Sequence, residues 1–128
     1  MEFNSSKPIY LQIADFICEK ILSDQWKNGQ RIPSVRDMAV NIEVNPNTVM
    51  RTFTFLQDKG IISNQRGVGY FVSADGNTLA QAYKTDQFIK EDLSYIFKTM
   101  DLLGIKIDDL NKYYTAYKNR SGDSNEAD

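Results

Sequence analysis

The chain has 128 residues, 41% hydrophobic and 25% charged, which fits one soluble globular domain or a small domain with an appendage. No apolar run approaches the ~20 residues of a membrane span. Met1-Glu2-Phe3-Asn4-Ser5-Ser6-Lys7 lacks the pattern of a signal peptide. Histidine is absent and Cys18 is the single cysteine, so no Cys/His metal site can be assembled and the commonest general base is missing. No metal, no cofactor, no catalytic residue and no enzyme activity are expected, and a lone buried cysteine fits a reducing cytoplasm. The net charge is −2, and residues 1–75 balance eight basic against eight acidic groups. A nucleic-acid surface must therefore come from where charges point, which makes Arg36, Arg51 and Arg66 the cations to follow.

Pro8 opens a helix expected to run to about Trp26, with Tyr10, Ile13, Ala14, Ile17 and Ile21 as its apolar stripe. Lys27-Asn28-Gly29-Gln30 reads as a turn with Gly29 left-handed, and Arg31-Ile32-Pro33 as an extended, strand-like piece. Ser34 caps a second helix that buries Val35, Met38, Ala39 and Ile42, with Asp37 completing an approximate capping box. Glu43-Val44-Asn45 turns tightly into a third helix. Asn45 is its N-cap and Pro46 its first residue, where a missing N–H costs nothing. Val49, Phe53 and Leu56 form a buried stripe, leaving Asn47, Thr48, Arg51 and Thr54 on the other face. Two short helices so closely joined, the second with a polar front, make a helix-turn-helix.

Gly60 ends the third helix. Ile61–Gln65 and Tyr70–Ser73 read as two strands around the turn Arg66-Gly67-Val68-Gly69, so a hairpin follows the helix-turn-helix with Arg66 at its tip. A long helix from about Thr78 to Leu103 carries Ile89, Leu93, Ile96, Phe97, Met100 and Leu103 near a heptad seam, and Gly104 caps it. Ile107, Leu110, Tyr113, Tyr114 and Tyr117 mark a second amphipathic helix with Asp108 and Asp109 at its positive end. The polar stretch from Asn119 to Asp128 is expected to be disordered. The fold expected is mainly α with a small β-hairpin: a winged helix-turn-helix over residues 1–75, a two-helix dimerisation extension over 76–118, and a tail over 119–128.

Several of these stretches together carry a family signature. Pro8-Ile9-Tyr10-Leu11-Gln12-Ile13, Gly29, Ile32-Pro33-Ser34-Val35-Arg36, Val44-Asn45-Pro46-Asn47-Thr48-Val49-Met50-Arg51 and Arg66-Gly67-Val68-Gly69-Tyr70-Phe71-Val72 resemble the DNA-binding domain of the GntR family of bacterial transcription regulators. The two-helix extension resembles its YtrA-like branch. The resemblance implies a winged-helix homodimer on double-stranded operator DNA, with Ser34, Arg36, Asn45, Asn47, Thr48, Arg51, Arg66 and Gly67 at the DNA. Many members have basic residues at the positions matching Pro46 and Met50. Here those are lost and Arg51 lies one place later, which turns its side chain by ~100° around the helix.

The function expected is a sequence-specific transcriptional regulator, a repressor, binding a palindromic operator as a cytoplasmic homodimer. Asn47 and Thr48 are placed for base edges, Arg36 for guanine or phosphate, Ser34 and its helix N-terminus for phosphate, and Arg66 for phosphate or the minor groove. A different reading, a winged-helix protein-interaction module without DNA binding, is motivated by the charge balance of residues 1–75. Tyr113, Tyr114 and Tyr117 are candidates to line an effector pocket, with core or dimer packing the stronger reading.

Overall fold

In the computed structural model, which describes the backbone of residues 6–127 and the side chains of residues 6–122, helix α1 spans Ile9–Leu22. The N-terminal residues 1–5, read for a leader pattern, lie outside the described residues, as does Asp128 of the expected tail. Ile13, Ala14, Ile17, Cys18 and Ile21 are fully buried along one face of α1, as their spacing demands. The helix stops short of Trp26 because Asp24 turns left-handed (φ 62°) and the Trp26 N–H folds back to the Lys20 carbonyl at 3.0 Å. No glycine marks that stop, so the sequence concealed it.

Helices α2 (Val35–Ile42) and α3 (Pro46–Asp58) follow as the helix-turn-helix. Ser34 Oγ accepts the Asp37 N–H at 3.1 Å and caps α2. The turn between the helices uses Glu43 in the left-handed region (φ 57°), a conformation that strains any residue with a Cβ. Its N–H bonds the Val40 carbonyl and the Val44 N–H bonds that of Ala39, so the end of α2 is satisfied. Strands β1 (Ile62–Gln65) and β2 (Gly69–Val72) pair antiparallel, with Ile62 opposite Val72 and Gln65 opposite Gly69. The stretch read as strand-like lies along the other edge of β2. The Ile32 N–H bonds the Tyr70 carbonyl at 3.0 Å, and the Val72 N–H bonds that of Gln30 at 2.9 Å.

The buried faces meet in one core of Ile13, Ile17 and Ile21 from α1, Met38 and Ala39 from α2, Val49, Phe53 and Leu56 from α3, and Ile61, Ile62 and Val72 from the hairpin. Each large side chain fully buried here contributes about 1.5–3 kcal/mol by leaving water. Helix α4 (Gly76–Gln87) also joins this core, through Ala80 with Leu79 and Tyr83 beside it. The Asn77 side chain donates to the Ile21 carbonyl at 3.0 Å, and Lys84 reaches Asp15 of α1 at 2.9 Å. The sequence reading ends the winged-helix unit at residue 75, whereas the packing carries it to Asp86.

The second compact unit begins at Gln87. It contains a π-helical segment (Phe88–Leu93), α5 (Ser94–Leu103) and α6 (Ile107–Ala127). The expected long helix is therefore interrupted by wider turns, which shift the phase of its apolar seam. Met100 is buried, while Ile89, Phe97 and Leu103 are exposed. Gly104 (φ 72°) terminates α5, and Asp109 caps α6 by accepting the Lys106 N–H at 2.9 Å. The backbone of α6 is helical through Ala127, where composition suggested disorder from Asn119; no proline falls in that stretch to stop it. Among the described residues no helix is long and apolar enough to cross a membrane.

Candidate nucleic-acid interface

Helix α3 is held by its back so that its front can be presented. Val49, Phe53 and Leu56 are fully buried, and Thr52 is buried with them. The Thr52 hydroxyl donates to the Tyr10 carbonyl oxygen at 2.7 Å, a cross-link from α3 to α1 between residues 42 positions apart that no local spacing foretells. At the N-terminus Asn45 Oδ1 accepts the Asn47 N–H at 2.7 Å and Pro46 occupies the first turn, so the helix starts where the sequence placed it. Asn47, Met50, Arg51 and Thr54 are exposed on the opposite face, followed by Gln57 and Asp58.

A tyrosine braces each flank of this face. On the α1 side, the Arg51 guanidinium lies 3.9 Å from the centre of the Tyr10 ring, a cation–π contact that orients its N–H donors. Tyr10 is fixed in turn by an edge-on contact with Phe55, with 5.9 Å between ring centres. On the hairpin side, the Tyr70 hydroxyl lies 4.0 Å from the Met50 sulfur, and the Tyr70 ring packs edge-on against Phe53 at 4.8 Å. Thr48 is half-buried at the edge of the α1 flank, so the structure brings it less fully forward than Asn47.

The remaining singled-out residues fall in two groups outside α3. Ser34 and Arg36 are exposed at the start of α2, where unpaired N–H groups attract an anion. Arg66 and Gly67 are exposed at the hairpin tip, with Gly67 left-handed (φ 78°) and open space where a Cβ would stand. The caps Ser34 and Asn45 already use a side-chain oxygen inside the protein, which leaves the Ser34 O–H and the Asn45 NH2 as donors. Sequence reasoning missed Arg31, Tyr10 as a brace, Tyr70 and Met50. Arg31 lies across Gly69, where an added Cβ would stand 2.9 Å from Arg31 Nε. Gly69 (φ 146°) is the trace of that contact in the sequence, but the partner is 38 residues away along the chain.

The profile for bacterial regulatory proteins of the gntR family matches residues 9–72. The chain is 38% identical over 104 residues to the uncharacterized HTH-type transcriptional regulator YhcF of Bacillus subtilis (strain 168), covering 81% of this chain and 84% of that protein. The chain belongs to the GntR family. It is also 35% identical over 109 residues to the HTH-type transcriptional repressor YtrA of the same organism, covering 85% and 83% of the two chains. A GntR family transcriptional regulator from Listeria monocytogenes shares the fold with a TM-score of 0.76 at 30% identity, over 89% of this chain and 98% of that one. This GntR member is thus a DNA-binding transcriptional regulator rather than an enzyme, and the likeness extends past the winged helix into the C-terminal helices.

Proposed function

We propose that this GntR-family regulator is a cytoplasmic repressor that binds a palindromic operator as a homodimer. The observation that carries the reading is the exposed front of α3, with Asn47, Met50, Arg51 and Thr54 standing over a fully buried back. In this reading α3 enters the major groove and Asn47 meets an adenine edge with its amide. Arg51, held over the Tyr10 ring at the flank, contacts the phosphate backbone, as do Arg36 and the N-terminus of α2. Thr48 lines the flank beside Arg51. The hairpin lays Arg66 and the Gly67 backbone against an adjacent phosphate or minor groove, and Arg31, lying across Gly69, adds charge near the turn.

Dimerisation is supported by the second unit. Phe88, Ile89, Tyr95, Phe97, Leu102, Leu103, Tyr113, Tyr114 and Tyr117 are all exposed, an apolar surface of a kind that oligomers cover. The exposure of the three tyrosines favours packing against a second copy over a place in the core of one chain. A two-fold dimer presents two α3 helices one helical turn of DNA apart, which matches a palindrome. Repression is supported by the relative named a repressor, YtrA. The test is selection of bound duplexes from a random pool, with sedimentation of the free protein and of the complex. Enrichment of a two-fold symmetric sequence bound by two chains is expected. A monomer in the complex refutes the dimer, and no enrichment at all, with a stable protein partner instead, refutes operator binding.

A further inference from the structure

Met50 stands at a position on the DNA-facing helix where neither its burial nor its chemistry fits a structural role alone. It is 44% exposed, although it is a large apolar side chain. Asn47, Met50 and Thr54 follow at spacings of three and four, so they form one ridge along the exposed face of α3. The side chain is also steadied. Its sulfur lies 4.0 Å from the Tyr70 hydroxyl, and Tyr70 is itself seated edge-on against the fully buried Phe53. This contact holds the sulfur beside the hairpin while the side chain stays exposed on the ridge.

A thioether has no N–H donor and is only a weak acceptor. It has nothing to donate to N7 or O6 of guanine or N7 of adenine, and its weak acceptor already faces the Tyr70 hydroxyl rather than the amino groups of adenine and cytosine. The remaining feature of the major-groove edges is apolar: the C5-methyl group of thymine. We infer that Met50 is a specificity-determining residue that selects a thymine by packing its end against that methyl group, next to the base met by Asn47. The inference rests on the operator reading given above and adds the base class to it. A lysine or arginine at the same place would favour guanine or phosphate instead, so Met50 narrows the sequence choice of this chain.

The test uses the full chain and the operator selected from the random pool. Each thymine in a half-site is replaced in turn by deoxyuridine, which removes the methyl group and leaves base pairing intact. One thymine per half-site is expected to be sensitive, weakening wild-type binding about fourfold, the worth of one buried methyl group. Met50→Ala and Met50→Gln are expected to bind the thymine and uridine forms equally. Met50→Lys is expected to select guanine at that position when the pool is reselected. Using one truncated variant and one of similar length guards against a folding defect in either, and thermal unfolding confirms that each is folded. Failure to select any duplex overturns the operator reading and this inference with it. A selected operator that shows no uridine sensitivity, or the same sensitivity with Met50→Ala and Met50→Gln, overturns the inference alone.

Discussion

Gly76→Ala tests whether α4 belongs to the winged-helix core. Gly76 is buried at the start of α4, and its φ is not positive, so an alanine faces no backbone strain there. The obstacle is space. A Cβ at this position would lie 2.6 Å from Val72 Cγ1 and 2.8 Å from the Ile61 carbonyl oxygen, well inside ordinary contact. Neither neighbour can yield easily. Val72 is fully buried in the core, and the Ile61 carbonyl is held by the Ser73 N–H at 3.0 Å. Forcing a methyl group into such a site costs about 1–3 kcal/mol. Against that, alanine gains up to about 1 kcal/mol of helix propensity over glycine. The net expectation is a loss of up to about 2 kcal/mol, centred near 1 kcal/mol. Part of it arises because α4 must back away, loosening the Asn77 bonds to Asn28 and Ile21. Urea unfolding followed by circular dichroism reads the change as a lower midpoint with an unchanged slope. If Gly76→Ala unfolds at the wild-type midpoint or above it, α4 is not seated on Val72 and Ile61, and the extension of the first unit to Asp86 fails.

Thr52→Val keeps the volume but removes the hydroxyl that bonds the Tyr10 carbonyl, so urea unfolding should show a loss of about 1 kcal/mol. Burial pushes the Cys18 thiol up to about 12 from its ordinary 9.0. The folded chain therefore keeps a proton that the unfolded chain releases, and stability that is full below pH 9 should fall as pH rises from 9 toward 12. Unfolding curves across that range check the sign, and a disulfide-exchange reagent at pH 8 should label Cys18 only after denaturation. Arg36→Ala, exposed on α2, should leave stability unchanged and weaken operator binding by about 1–3 kcal/mol in a salt-matched titration; equal affinity refutes its place at the DNA.

Local signals settled much of this chain. Asn45, Pro46 and the stripe of Val49, Phe53 and Leu56 defined both the start of α3 and its buried side. Ser34 likewise declared the start of α2, and Gly60, Gly67 and Gly104 marked turns that are left-handed in the structure. These features were readable because caps, periodicity and left-handed turns depend on residues within a few positions of one another. Where a non-glycine residue took the left-handed role, at Asp24 and Glu43, no local signal existed to read.

The sequence by itself determined the helix-turn-helix, the hairpin and the family, since each rests on short-range chemistry. Only the tertiary structure decided what stands beside α3, Tyr10 under Arg51 and Tyr70 against Met50, and what lies on the hairpin, Arg31 across Gly69. It also decided that α4 packs on the first core through Ala80. These contacts join residues far apart in the chain, and their geometry follows from how the buried faces pack, which no local spacing encodes.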